Sequence, residues 1–61
     1  MKKVIIEFHT EEAPEYPYIW DYEEPIVEVI NKHKAISLTH WHSRKKEVII
    51  VKNIRRIWEQ N

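Results

Sequence analysis

The sequence predicts a small, mainly β domain, an antiparallel sheet of about four strands with room for a short C-terminal helix. Three observations carry this. Apolar, β-branched runs recur along all 61 residues, in the alternating or short-block patterns of strands. Two polar connections, residues 31–34 and 43–46, have hairpin length. Helix-forming patterns are confined to the last few residues, and residues 1–61 form a single unit without repeats or low-complexity tracts.

The first strand, Val4 to Thr10, places Val4, Ile6 and Phe8 on one side. Residues 11–25 follow as an acidic, aromatic connecting segment. Pro14, Pro17 and Pro25 hold it extended and oppose a helix. The run from Ile26 to Ile30 begins after Pro25 and ends at Asn31, which reads as a second strand. Residues 35–42 alternate as a third, and residues 47–52 are a short buried-type fourth. Pairing Ile30 with Ala35, and His42 with Glu47, sets Leu38 opposite Val51. This registry gathers Val27, Val29, Ile36, Leu38, Ile49 and Val51 on one face. The reverse face then carries Ile26, Ile30, Thr39, Trp41, Val48 and Ile50, too apolar for open water. Residues 53–59 fit a two-turn helix capped by Asn53 with Ile54, Ile57 and Trp58 on one side, or a continuation of the last strand.

Size limits what this fold does alone. Below roughly 70–80 residues a single core seldom supplies more than about 3–5 kcal/mol. With no Cys there is no disulfide, so a homo-oligomer, a dimer first of all, is the expected reinforcement. Trp41, Val48 and Ile50 are the candidate interface. The apolar run after Met1-Lys2-Lys3 is too short for a signal peptide or a membrane span, and a cytoplasmic location is expected. Gly is absent as well, which excludes phosphate-cradling loops, dinucleotide fingerprints and the nucleophile elbow. No catalytic residues and no cofactor are assigned.

Formal charge is zero but sorted. Eight of ten acidic residues lie between Glu7 and Glu28, and eight of ten basic residues between Lys32 and Arg56. Two opposed fields describe a surface that meets a partner. In the acidic block, Tyr16, Tyr18, Trp20 and Tyr22 alternate onto one side, with Glu15, Asp21, Glu23 and Glu24 among them. Tyr and Trp anchor interfaces and carboxylates suit a basic groove, so these residues are the candidate protein-binding site. The same rings have a simpler use in completing the core. The expected function is non-catalytic binding of another protein, as an inhibitor or adaptor whose target includes nucleic-acid-processing enzymes.

Two other readings rest on different residues. Lys32, Lys34, Arg44, Lys45 and Lys46, with Trp41, fit a small oligomeric protein that binds single-stranded nucleic acid. His40 and His42, two apart on a strand, are candidates for a metal site that His9, Asp21 or Glu47 would complete. In size and composition (tiny, free of Cys and Gly, rich in Ile, Lys and Glu) the chain is similar to phage accessory proteins that block host defence or replication enzymes. That likeness implies an anti-defence inhibitor and is carried by no particular stretch of residues.

Overall fold

The computed structural model describes residues 2–9 and 15–60. Its alternating segments form one antiparallel sheet of five strands. These are β1 (Lys3–Phe8), β2 (Glu15–Ile19), β3 (Ala35–His40), β4 (Lys46–Ile50) and β5 (Ile54–Gln60), in the order β4-β3-β2-β1-β5. A helix, α1 (Ile26–Lys32), separates β2 from β3.

The sheet cannot be flat. Its edge strands β4 and β5 stand four strand spacings apart, about 19 Å. Only the single 3₁₀ turn Val51–Asn53 joins them, and it advances roughly 2 Å per residue. The sheet is therefore curled, with a concave inner face and a convex outer one. Val4, Ile6, Tyr18, Ile36, Leu38 and Ile49 line the inner face with Val29 and Trp20, and they form the core.

The acidic, aromatic segment supplies the central strand. Tyr16 and Tyr18 lie opposite Ile6 and Val4 of β1, so the alternation that gathers the rings on one side points them inward. A proline inside a central strand normally removes a ladder bond. Here the Pro17 carbonyl accepts from the Trp41 N–H at 3.0 Å, past the end of β3. Its missing N–H points the same way, and the β1 ladder is intact. Beyond Ile19 the chain leaves β3. Side chains then replace the ladder: the Ser37 N–H donates to Tyr22 Oη at 3.1 Å and the Thr39 N–H to Asp21 Oδ2 at 3.0 Å. The departure frees residues 20–25 to cross the inner face and start α1.

Three expectations are corrected. The run from Ile26 to Ile30 is helical, so residues 31–34 are no hairpin and Val29 reaches Ile36 from α1. Val29 is fully buried and Ile26 is half-buried, while Val27 is 60% exposed; the period is 3.6, not 2. Pro25 directly before the helix, Glu28 in its first turn and Lys32 in its last are ordinary helix signals. Next, the C-terminal segment is strand β5. A bulge opposite Glu7 and Phe8 inserts one residue, which sets Ile54 and Ile57 on the same face three residues apart. A bulged strand thus copies the helical spacing. Finally, β3 and β4 pair four residues out of the expected register, with Leu38 opposite Glu47 and Ile36 opposite Ile49. The slip is even, so Ile36, Leu38 and Ile49 keep their common face. The turn that sets it spans residues 41–44, and its last residue, Arg44, adopts φ 61°.

Candidate functional site

A seven-residue helix is about 10 Å long and does not roof the whole inner face of five strands. The part it leaves is a cleft of about 340 Å³ between β4 and the β1–β2 hairpin. Phe8, Tyr16, Tyr18 and His40 supply aromatic walls, Ile49 an apolar one, and Asn53 and Glu47 the polar groups. Phe8 and Tyr16 pack ring to ring at 5.6 Å. Tyr18 meets His40 edge to face at 5.4 Å and donates its hydroxyl to Glu47 Oε1 at 2.9 Å. Glu47 is exposed on β4 and makes no ion pair among the described residues. Its carboxylate is fixed through one oxygen and aimed at an aromatic enclosure. Such a set attracts a cation: rings offer their negative faces, and the carboxylate accepts charge-assisted hydrogen bonds.

The convex face is a second surface. Trp58, Ile5, Pro17 and Trp41 form one row across β5, β1, β2 and the end of β3, since Ile5 pairs with both Trp58 and Pro17, and Pro17 binds Trp41. The two tryptophans therefore have their backbones three strand spacings apart along the sheet, about 14 Å. Each is half-buried and carries its own cations. Lys3 Nζ and the Arg44 guanidinium lie 4.8 and 5.3 Å from the Trp41 ring, and the Arg56 guanidinium 5.1 Å from Trp58. Glu7 faces the same way but is bound by Arg55, whose Nε and Nη2 both reach its Oε1, at 2.7 and 2.6 Å.

The sequence-derived candidates divide accordingly. Tyr18 and Trp20 are 3% and 6% exposed, and Tyr16 and Tyr22 are half-buried. Tyr16 and Tyr18 wall the cleft. Trp20 donates its indole N–H to the Glu24 carbonyl at 2.9 Å and packs on Tyr22, whose other neighbour is His33; that pair serves the fold around α1. Asp21 is bound by Thr39 and, at 3.3 Å, by Lys46, so it braces β3. Glu15, Glu23 and Glu24 are exposed. Lys32, Lys34 and Lys45 are exposed at the helix end and in the turns, but only Arg44 joins an aromatic ring. His40 Nδ1 accepts the backbone N–H groups of His42 and Ser43 at 3.2 and 3.3 Å. Its lone pair is spent on the turn, and no cluster of three metal-ligating side chains exists among the described residues. Val48 and Ile50 are 72% and 41% exposed.

Phe8, Asn53, Lys3, Arg56 and Trp58 were absent from the sequence-derived set. Arg56 and Trp58 share a face only if their segment is a strand, so the helical reading hid them. Lys3 and Phe8 become site residues through the curl of the sheet, which no local pattern announces. Among the described residues no helix is long and apolar enough to cross a membrane. Comparison with protein-family models, characterised proteins and solved structures gives no match.

Proposed function

We propose that this protein is a non-catalytic protein-binding module that takes a basic side chain of its partner into the cleft between β4 and the β1–β2 hairpin. One observation carries the reading: Glu47, held by Tyr18, stands at the end of an enclosure of Phe8, Tyr16, Tyr18 and His40. Two of the four expected aromatic anchors thus keep a partner-binding role, as walls rather than as protruding knobs. A guanidinium there gains a charge-assisted hydrogen bond of about 1.5–3 kcal/mol and a ring contact of roughly 0.5–2 kcal/mol. Exposed Glu15, Glu23 and Glu24 add the long-range attraction that speeds encounter with a basic surface. The module then acts as an inhibitor or adaptor within the cytoplasm, the use its size and composition suggest.

The test is an amide NMR titration with N-acetyl-arginine amide and, separately, its uncharged isostere N-acetyl-citrulline amide. Shifts centred on Tyr16, His40, Glu47 and Asn53, seen with arginine only and lost in Glu47→Gln, support the reading. An equal response to citrulline, or none to arginine at millimolar concentration, refutes it. The glutamine amide retains an acceptor for the Tyr18 hydroxyl, so the fold survives the substitution.

A second reading concerns self-association, favoured by the exposure of Val48 and Ile50 on edge strand β4. Natural edge strands are blunted by charge, proline or bulges. Strand β5 has its bulge and two arginines, whereas the C-terminal half of β4 offers bare Val48-Ile49-Ile50. We propose a dimer closed over this edge through Val48 and Ile50; Trp41, the third residue expected there, lies on the β2 side of β3 instead. Sedimentation velocity checks it: Val48→Lys shifts a dimer to monomer, and a wild-type monomer across micromolar concentrations removes the idea.

A further inference from the structure

We infer that the convex face of the sheet is a platform for single-stranded nucleic acid, on a surface separate from the cleft assigned above. The starting point is the row Trp58–Ile5–Pro17–Trp41, which crosses β5, β1 and β2 to the turn after β3 without a charged side chain. Burial of Ile5 and Ile19 on this face shows that the larger side chains around them already shield its floor. Around this floor the two half-buried indoles and the cations resting on them stay accessible.

The placement of those cations selects the ligand. Three of them, Lys3, Arg44 and Arg56, sit over rings and have no carboxylate partner among the ion pairs of the described residues. Two carboxylates of the described strands share this face: Glu7 is buried and neutralised by Arg55, and Glu15, opposite it on β2, is exposed at the far end of the hairpin from Trp41 and Lys3. An unpaired cation above an indole is a double receptor. A phosphate offers it a stronger partner than the ring, and the base attached to that phosphate has a π-face to replace it on the indole. Single strands satisfy both demands at once, because their bases are free to leave the stack and lie on aromatic side chains. A duplex keeps its bases paired and engages only the cations. An acidic protein surface would meet the cations and leave the rings with nothing of matching shape.

Arg44 gives the exchange a further element. It holds φ 61° without being glycine, a conformation disfavoured for any residue with a Cβ, and this backbone brings its guanidinium back over Trp41. The left-handed residue closes the β3–β4 turn, as hairpin loops commonly require, and at this position it is the residue whose guanidinium meets Trp41. Lys45 beside it is exposed and touches no ring.

The experiment is fluorescence anisotropy of labelled mixed-sequence single-stranded DNA and RNA, and of the matching duplex, with the intact protein at several salt concentrations. Three phosphate contacts on a single strand give a log–log salt slope near −2, which is about 16-fold weaker binding when salt rises fourfold. Trp41→Ala and Trp58→Ala each weaken single-strand binding by about tenfold or more and leave the salt slope unchanged. Arg44→Gln with Arg56→Gln lowers the slope instead, and as surface changes they keep the circular dichroism of the folded sheet. No binding at low salt, duplex bound as tightly as the single strand, or Trp variants indistinguishable from wild type would each overturn the inference. None of these outcomes bears on the arginine titration at Glu47, so the two assignments stand or fall separately.

Discussion

Removing Arg55 is expected to destabilise this protein more than removing the carboxylate that it binds. Glu7 is one of the most buried charged groups in the chain, with 7% of its side chain exposed, against 55% for Arg55. Both guanidinium contacts fall on one oxygen, Oε1. Breaking a fully buried pair from one side costs about 3–5 kcal/mol, because a charge is left without a partner. Water reaches the Arg55 side of this pair, so a discounted figure of about 2 kcal/mol applies to Arg55→Ala. Glu7→Gln leaves no buried charge, and the freed guanidinium returns to solvent; its cost is about 1 kcal/mol, the difference between a charged and a neutral hydrogen bond. In the double variant the amide replaces the stranded carboxylate, so part of the Arg55→Ala loss is recovered. Urea denaturation followed by tryptophan fluorescence measures all four proteins. With a slope near 1 kcal/mol per molar, at the low end for small domains, Arg55→Ala moves the midpoint by about 2 M. For a core worth about 3–5 kcal/mol that is roughly half of all stability. A Glu7→Gln protein less stable than Arg55→Ala, or a double variant showing simple additivity, would refute the reasoning.

Two further outcomes follow from single positions. Val29→Ala removes the only fully buried side chain of α1 and costs about 1.6 kcal/mol in transfer alone, before any cavity term; because a seven-residue helix has little stability of its own, hydrogen exchange at His33 and Val29 should rise together with that loss. At position 44 the melting temperatures should order as Gly above Arg above Ala: glycine relieves the left-handed strain, alanine keeps the strain and loses the contact with Trp41, and a glycine variant that melts below wild type would show the ring contact to outweigh the strain.

How much of this was legible in the sequence depended on whether the periodic signal was unique. Val4, Ile6 and Phe8 admit only a strand, and β1 lies where expected. Ile36, Leu38 and Ile49 share a face under any even register, so their common burial survived a turn misplaced by two residues. By contrast, Ile26, Val27, Val29 and Ile30 satisfy both periods. The helix wins because β2, not this segment, occupies the place beside β3, and that is a tertiary fact. At Ile54 and Ile57 the bulge converts period 2 into period 3, and only the pairing with β1 reveals it. The candidate site suffered most. Its walls come from β1, β2, β3, β4 and the turn before β5, and the curl that unites them depends on a three-residue link between the two edges. The inward direction of Tyr16, Tyr18 and Trp20 was within reach, since a chain of 61 residues with seven aromatic rings has few other ways to fill a core.

The sorted charge of the sequence does not pass directly into sorted surfaces; folding first spends part of it. Ion pairs take Glu59 with Lys2, Asp21 with Lys46 and Glu7 with Arg55. Each joins residues from the two ends of the charge gradient or its flanks, and each closes a contact between segments distant in sequence. A few of the remaining charges are divided by the sheet itself. Glu47 stands on the concave side, in the cleft, while Lys3, Arg44 and Arg56 stand on the convex side, over tryptophan. Glu47 forms no ion pair with any of the three among the described residues, although Arg44 is only three residues away, because the two side chains serve opposite faces of the sheet. A chain of zero formal charge can in this way present an acidic group on one face and cations on the other, and the curled sheet with its apolar core is the layer between them.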